Sequence, residues 1–347
     1  MKMTVLLIRS CAVPCRIRRP PVLRIERRAK RGRWHRGCHR GHTTARSAYR
    51  PAVRPRRTQV LATGGLVDQV VDLAAPDLSP PVWKDQVVND FAQPLHGMST
   101  LVIGGGGEGI GRAISRAFAA AGAAVAVADV VPDRANAAVD ELTEAGARAI
   151  ALEGDVRAVS DVDGFVARTT AEFGRLDTLV TVVGGQVAFV PAVRLHEMSD
   201  DDWDLAYEMN LRYVARAARA AIRTFLAQGS GGSIVSVGSV AGIMAAPMQA
   251  GYGAAKAGLA SLAKTVAAEY AREGIRMNVV ACGAIATAVA NAAQHTEEVP
   301  EIPMGRLGVP ADAAAAVVYL ASPLSSYVTG QSLVVDGGVT VRGPFPD

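Results

Sequence analysis

The chain has 347 residues and a formal net charge of +5, but the charge is divided unevenly. Residues 1–57 hold 18 of the 37 basic side chains and a single acid, Glu26, whereas 58–347 hold 19 basic and 31 acidic residues, a net of −12. The acidic part is long enough for one single-domain α/β enzyme and gives no reason for a second domain. Its lone cysteine, Cys282, excludes a disulfide framework there and fits a reducing compartment.

Residues 1–60 read as an Arg-rich disordered leader, because arginine and proline without an apolar period cannot build a core. Other readings of this stretch stay open: a basic arm making phosphate contacts, a mitochondrial transit peptide, or sequence upstream of the native start. His35, Cys38, His39 and His42 cluster, but their spacing matches no established zinc finger, and no metal is expected. The apolar run at 3–8 is too short for a bilayer and lacks a signal cleavage region, so a soluble, cytoplasmic protein without membrane contact is expected. Residues 61–93 are read as a linker or short leader, and 94–347 as the domain.

Within 94–347, strands are expected near 99–104, 124–129, 148–153, 177–183, 232–238, 275–281 and 331–336. Helices are expected near 110–121, 133–145, 159–173, 201–227, 252–273 and 311–321. Strands that alternate with helices of this length predict a parallel sheet covered on both faces. The first strand runs into a glycine turn, Gly104 to Gly111, and the turn into a helix. Glycines let the backbone approach a pyrophosphate, whose charge is favoured at the positive end of the helix. Gly105, Gly109, Ile110 and Gly111 are the candidate contacts. The second strand ends at Asp129, eighteen residues beyond Gly111. A carboxylate there accepts both adenosine ribose hydroxyls and repels a 2′-phosphate. Together with Glu108 in the turn, it favours NAD(H) over NADP(H). The third strand ends in Gly154-Asp155-Val156.

Tyr252 and Lys256 lie four apart, hence one turn apart on one helix face, and Ser239 lies thirteen residues before the tyrosine. A phenol ionises near pH ~10, too high for a base at neutral pH. An ammonium one turn away favours the phenolate, and a hydroxyl from another segment can hold the oxygen that gains or loses the proton. Ser236 is a competing hydroxyl on the same strand.

With these motifs in this order, 94–347 resembles the short-chain dehydrogenase/reductase family. The matching elements are Gly105-x-x-x-Gly109-x-Gly111, Asp129, Gly154-Asp155-Val156, Asn210-Leu211, Ser239, Tyr252-x-x-x-Lys256 and Val334-Val-Asp-Gly-Gly338. The resemblance implies a single Rossmann-type, doubly wound, seven-stranded parallel sheet with helices on both faces. It implies Tyr252 as general acid/base, Ser239 bonded to the reacting oxygen, and Lys256 lowering the tyrosine pKa and holding the nicotinamide ribose. Asn210 would support a water in a proton relay, and Asp155 and Val156 would meet the adenine. Gly184 would line the cofactor site, and Ile285 and Thr287 would sit against the carboxamide. Hydride chemistry belongs to the cofactor; the protein supplies position and a proton route. It also implies a homo-oligomer, a tetramer or a dimer. The chain departs from the family at Gly104, usually threonine, at Thr181-Val182-Val183-Gly184, usually Asn-Asn-Ala-Gly, and at Cys282, usually proline.

The function expected is NAD-linked interconversion of a secondary alcohol and a ketone. The substrate expected is a small and apolar molecule, since Phe189, Met244 and Met248 stand in segments that shape the family's pocket; the stretch 286–304 is a candidate lid. Two alternatives are kept. One is an NADPH-linked 3-oxoacyl-carrier-protein reductase, disfavoured by Asp129, Glu108 and by Glu273, where such reductases commonly place an arginine. The other is a non-catalytic dinucleotide-binding or nucleic-acid-associated regulator, disfavoured by intact Ser239, Tyr252 and Lys256.

Overall fold

The computed structural model describes residues 91–186, 188–287 and 299–342. The leader at 1–60, most of the linker and the centre of the candidate lid lie outside the described residues. Seven strands form one sheet: β1 (Ser99–Ile103), β2 (Ala124–Asp129), β3 (Ala149–Glu153), β4 (Thr178–Thr181), β5 (Gly232–Ser239), β6 (Ile275–Cys282) and β7 (Ser332–Val335). Their spatial order is β3-β2-β1-β4-β5-β6-β7 and every pairing is parallel. A parallel sheet with helices on both faces leaves its inner strands no wet side. Accordingly β1, β4 and β6 are buried along their whole length.

The covering helices are α1 (Ile110–Ala120), α2 (Pro132–Glu144), α3 (Val159–Phe173), α4 (Asp200–Tyr207), α5 (Tyr213–Gln228), α6 (Ala250–Tyr270) and α7 (Pro310–Ala321). On one face, Ile114 and Phe118 of α1 meet Val317 and Leu320 of α7 over Val102, Val125 and Val280. On the other, Phe165 of α3, Tyr213 and Phe225 of α5 and Leu259 of α6 cover Leu101, Leu179 and Ile234. The chain winds outward from β1 to β3, then returns to place β4 on the other side of β1. That reversal opens a crevice at the carboxyl ends of β1 and β4, where doubly wound sheets bind ligands.

The sequence predicts one helix over 201–227, but the structure has two. A π-turn, Glu208–Arg212, separates α4 from α5. Its cause is local: the Asn210 side chain is fully buried and donates from Nδ2 to the carbonyl of Ala206 at 2.9 Å. That bond competes with the backbone ladder one turn back, and π-turns of this kind often mark functional sites. β4 also ends at Thr181, two residues earlier than expected, because the chain bends away at Gly184 and Gly185. Among the described residues no helix is long and apolar enough to cross a membrane, and no group of three or more acidic, His or Cys side chains can hold a metal.

Candidate active site

Ser239 closes β5, and its Oγ accepts the N–H of Ala241 at 3.1 Å, which caps a 3-10 turn. α6 begins eleven residues later and carries Tyr252 in its first turn. The Ser239 hydroxyl is close enough to the Tyr252 phenol to act on its ionisation. Lys256, one turn along, is 6% exposed and donates to the carbonyl of Val237 at 3.0 Å. Its Nζ lies 5.6 Å from the Tyr252 ring centroid. The three side chains therefore converge at the carboxyl end of β5. The competing hydroxyl, Ser236, is turned the other way and fully buried, where it accepts from Thr181 Oγ1 at 2.9 Å.

Burial decides the charge states here. The Tyr252 phenol is pushed above its ordinary value by burial, against a smaller lowering by the Ser239 hydroxyl. Burial also drives the Lys256 ammonium down to about 8. The sequence reading has the lysine lowering the phenol; in the folded chain desolvation sets the direction, and it raises the phenol. Cys282 pairs with Ser239 across β5 and β6, and burial raises its thiol to about 11 while Lys256 acts in the opposite sense.

Asn210 reaches the same corner from the π-turn. Its Oδ1 accepts from Gly185 N at 2.9 Å and its Nδ2 donates to Gly185 O at 3.0 Å. The amide is thus spent on fixing the backbone that follows β4. A Cβ on Gly184 would fall 2.5 Å from Asn210 Oδ1 and 3.1 Å from Lys256 Nζ, which places this glycine between the two side chains.

The glycine turn lies across the crevice. Gly104 has φ +89°, and a Cβ there would stand 2.8 Å from Val183 Cγ2. The two departures from the family pattern at Gly104 and Val183 are therefore one steric adjustment. A Cβ on Gly111 would sit 1.9 Å from the Gly104 carbonyl, so the turn can close only with glycine. Gly105 packs its Cα against Ser115 and Val102. α1 then starts at Ile110 after Gly109, with no side-chain cap and no acid in its first turn. A helix start left in that state suits an anion, and the open side of the turn at Gly107 offers it room. The residues present fit a dinucleotide.

Asp129 ends β2 and accepts the N–H of Val131 at 3.0 Å. It shares a cavity of about 370 Å³ with Gly104, Asp155, Val156, Val183 and Phe189. Val156 is buried, and the Asp155 carboxylate pairs with Arg157 at 2.6 Å, which holds it below the usual carboxylate range. Phe189 therefore stands with the acids of this cavity, while Met244 and Met248 are exposed in the loop after β5. Thr287 approaches Gly109, with Cγ2 3.7 Å from a Cβ built there. Ile285 is buried and bridges to Gly308. A larger cavity of about 640 Å³ opens beside Ile285, between the ends of β6 and β7, and holds none of the three converging side chains.

Sequence reasoning missed Leu205, Met209 and Arg157, which also line the smaller cavity. It missed too the phenol of Tyr213, which donates to Val183 O at 2.6 Å. The π-turn that carries Met209 inward leaves no periodic signal, so only the neighbouring Asn210 hinted at it.

Residues 105–340 match the family profile described as "Enoyl-(Acyl carrier protein) reductase". An L-rhamnose 1-dehydrogenase (NAD(P)(+)) of a Sphingomonas species is 36% identical over 249 residues, which cover 70% of this chain and 96% of that protein. A 3beta-hydroxysteroid dehydrogenase of Eggerthella lenta is 39% identical over 256 residues, 71% of this chain and 95% of the relative. A 3-oxoacyl-[acyl-carrier-protein] reductase of a Synechocystis species is 36% identical over 208 residues, 60% and 82% of the two chains. Among solved structures, a 7 alpha-hydroxysteroid dehydrogenase complexed with NADH and 7-oxo glycochenodeoxycholic acid superimposes with a TM-score of 0.64 at 31% identity, covering 72% of this chain and 97% of that one.

Proposed function

The chain belongs to the short-chain dehydrogenase/reductase family, an oxidoreductase family acting on alcohol and ketone groups, and we propose that it is an NAD(H)-linked dehydrogenase of secondary alcohols. The observation that carries the reading is the convergence of Ser239 at the end of β5, Tyr252 in the first turn of α6 and Lys256 buried one turn further on. When bound, the nicotinamide supplies or receives the hydride. Tyr252 removes the proton from the alcohol or returns it to the ketone. Ser239 holds the same oxygen and keeps the phenol aimed at it. Lys256 presents its ammonium under the ring and to the ribose, and Asn210 holds the Gly184–Gly185 backbone from which a water relay would lead outward.

The preference for NAD(H) rests on Asp129. Its Oδ2 lies 2.9 Å from where a Cβ on Gly106 would be, so the carboxylate faces the turn at close range. A 2′-phosphate brought there meets like charge. Glu273, just before Gly274 at the start of β6, and Asp129 both speak against the acyl-carrier-protein reductase as the nearest rival. The candidate substrate is a small and apolar one, with exposed Met244 and Met248 in the loop after β5 as its apolar side chains. Exposed Leu333 and Val334 on the edge strand β7 support self-association as a dimer or tetramer.

Titration of NADH and NADPH fluorescence against the full chain tests the cofactor assignment. The wild type is expected to bind NADH more tightly, and Asp129→Ala is expected to move the ratio toward NADPH by about tenfold or more, the size of one lost charge contact. An unchanged ratio would remove the case for NAD(H) while leaving the fold and the proton chemistry in place.

A further inference from the structure

The glycine turn is held by an arginine that no motif names. Arg112, in the first turn of α1, is 8% exposed. Its Nε and Nη2 both donate to the carbonyl of Gly106, at 3.1 and 2.8 Å. Nη2 also reaches Arg134 O at 3.3 Å, and Nη1 reaches Ala137 O at 3.2 Å and Glu141 Oε2 at 3.0 Å. One guanidinium thus ties the turn to the first two turns of α2. The carboxylate of Glu141 balances the charge and is shared with Arg116.

The place of the clamp matters more than its strength. A trans peptide is planar, so the carbonyl of Gly106 and the N–H of Gly107 point in opposite directions. Fixing the carbonyl on Arg112 therefore turns the Gly107 N–H away from the protein, toward the side where a Cβ on Gly107 would meet nothing within 4 Å. The same contact presses Gly106 against the start of α2, 2.9 Å from Ala135 N and from Asp129 Oδ2 as measured from a Cβ built on the glycine. Asp129 itself is anchored just before α2 by its bond to Val131 N. Arg112 thus sets the orientation of the turn, and the turn stands against an acid that its own bond to Val131 N holds in place.

We propose that Arg112 is a positioning residue for the adenosine end of the dinucleotide: it fixes the Gly106–Gly107 peptide with its N–H facing the ligand and holds the turn at a set distance from Asp129. This rests on the dinucleotide-binding reading above. With the clamp removed, the peptide is free to rotate and present a carbonyl to the ligand, and the turn is free to drift from the acid. The loss falls chiefly on NADH, since Asp129 already disfavours NADPH.

The test is a titration of NADH and NADPH against full-length wild type, Arg112→Met, Arg112→Lys and Glu141→Gln, with thermal melts alongside. Arg112→Met is expected to weaken NADH about tenfold, the scale of losing hydrogen bonds from a charged donor, and NADPH clearly less. Arg112→Lys, which keeps a donor within reach of the Gly106 carbonyl, is expected to recover most of the affinity. Glu141→Gln, which leaves the Gly106 contacts alone, is expected to bind NADH as the wild type does. Unchanged NADH binding in Arg112→Met overturns the proposal. So does an equal loss for both cofactors, which marks general loosening. Should Arg112→Met not fold, Glu141→Gln decides: a loss of NADH affinity of about tenfold there, where the Gly106 contacts remain, overturns it. Failure of the wild type to bind either dinucleotide would instead sink the functional reading itself.

Discussion

At the scale of single residues, the site works through what burial does to each group. In the proposed reaction Tyr252 would act as a phenolate in alcohol oxidation and as a phenol in ketone reduction. Its pKa is raised above the ordinary value near ~10, chiefly by burial. The base form is therefore scarce at neutral pH and grows as the pH climbs. Oxidation is expected to quicken steadily through the alkaline range, while reduction holds its rate at neutral pH and falls only once the phenol ionises. Initial rates in both directions between about pH 6 and pH 11, a range that reaches past the phenol's ordinary value, check the sign. Tyr252→Phe keeps the ring over Lys256 but has no proton to move. Turnover is expected to fall by roughly 10²–10⁴-fold with NADH binding nearly intact, the usual worth of a general acid/base. A comparable loss of cofactor binding would show that the tyrosine sits elsewhere than in the proton path.

At the scale of elements, the sheet's centre is tied by side chains in a way the sequence did not advertise. The family pattern usually has Asn-Asn after the fourth strand; here Thr181 donates to Ser236 and so bonds β4 to β5 within a dry interior. Thr181→Val is expected to cost about 1–3 kcal/mol, because Ser236 keeps a buried hydroxyl without its partner. Adding Ser236→Ala removes the stranded group and is expected to restore much of the loss. Chemical denaturation of the two single variants and the double one measures the coupling, and simple additivity would argue against the tie. This pair also shows where sequence reading stops. Continuous apolar runs made β1, β2 and β6 legible, and the glycine turn could be placed because strand and helix flank it. Tyr252 and Lys256 were legible because helix geometry alone puts them on one face. Thr181 and Ser236 are 55 residues apart, and no local pattern reports a contact of that separation. The π-turn at 208–212 was hidden for a related reason: one buried amide, Asn210, sets it, while the flanking residues keep an ordinary helical period. Arg112 carries no motif signal, and only its neighbours in space give it a task.

At the scale of the whole molecule, charge and chemistry lie in different parts of the chain. Every residue assigned to the dinucleotide or to the proton path falls between Gly104 and Thr287, within the acidic stretch 58–347 with its net of −12. Residues 1–57 carry a net of +17 and contribute no residue to that set. A chain beginning at residue 91 is therefore expected to bind NADH with the affinity of the full chain, within about twofold on a scale where tenfold is 1.4 kcal/mol. Nucleic acid binding gives the opposite readout. Eighteen basic residues with one acid would release many counterions on a duplex, so any affinity seen at low salt should fall steeply as salt is raised and vanish on removing the leader. Titrating both forms with NADH and with a short DNA duplex at two salt concentrations separates the parts. If truncation weakened NADH binding instead, the leader would be part of the cofactor site, and the domain boundary near residue 94 would have to move toward the amino terminus.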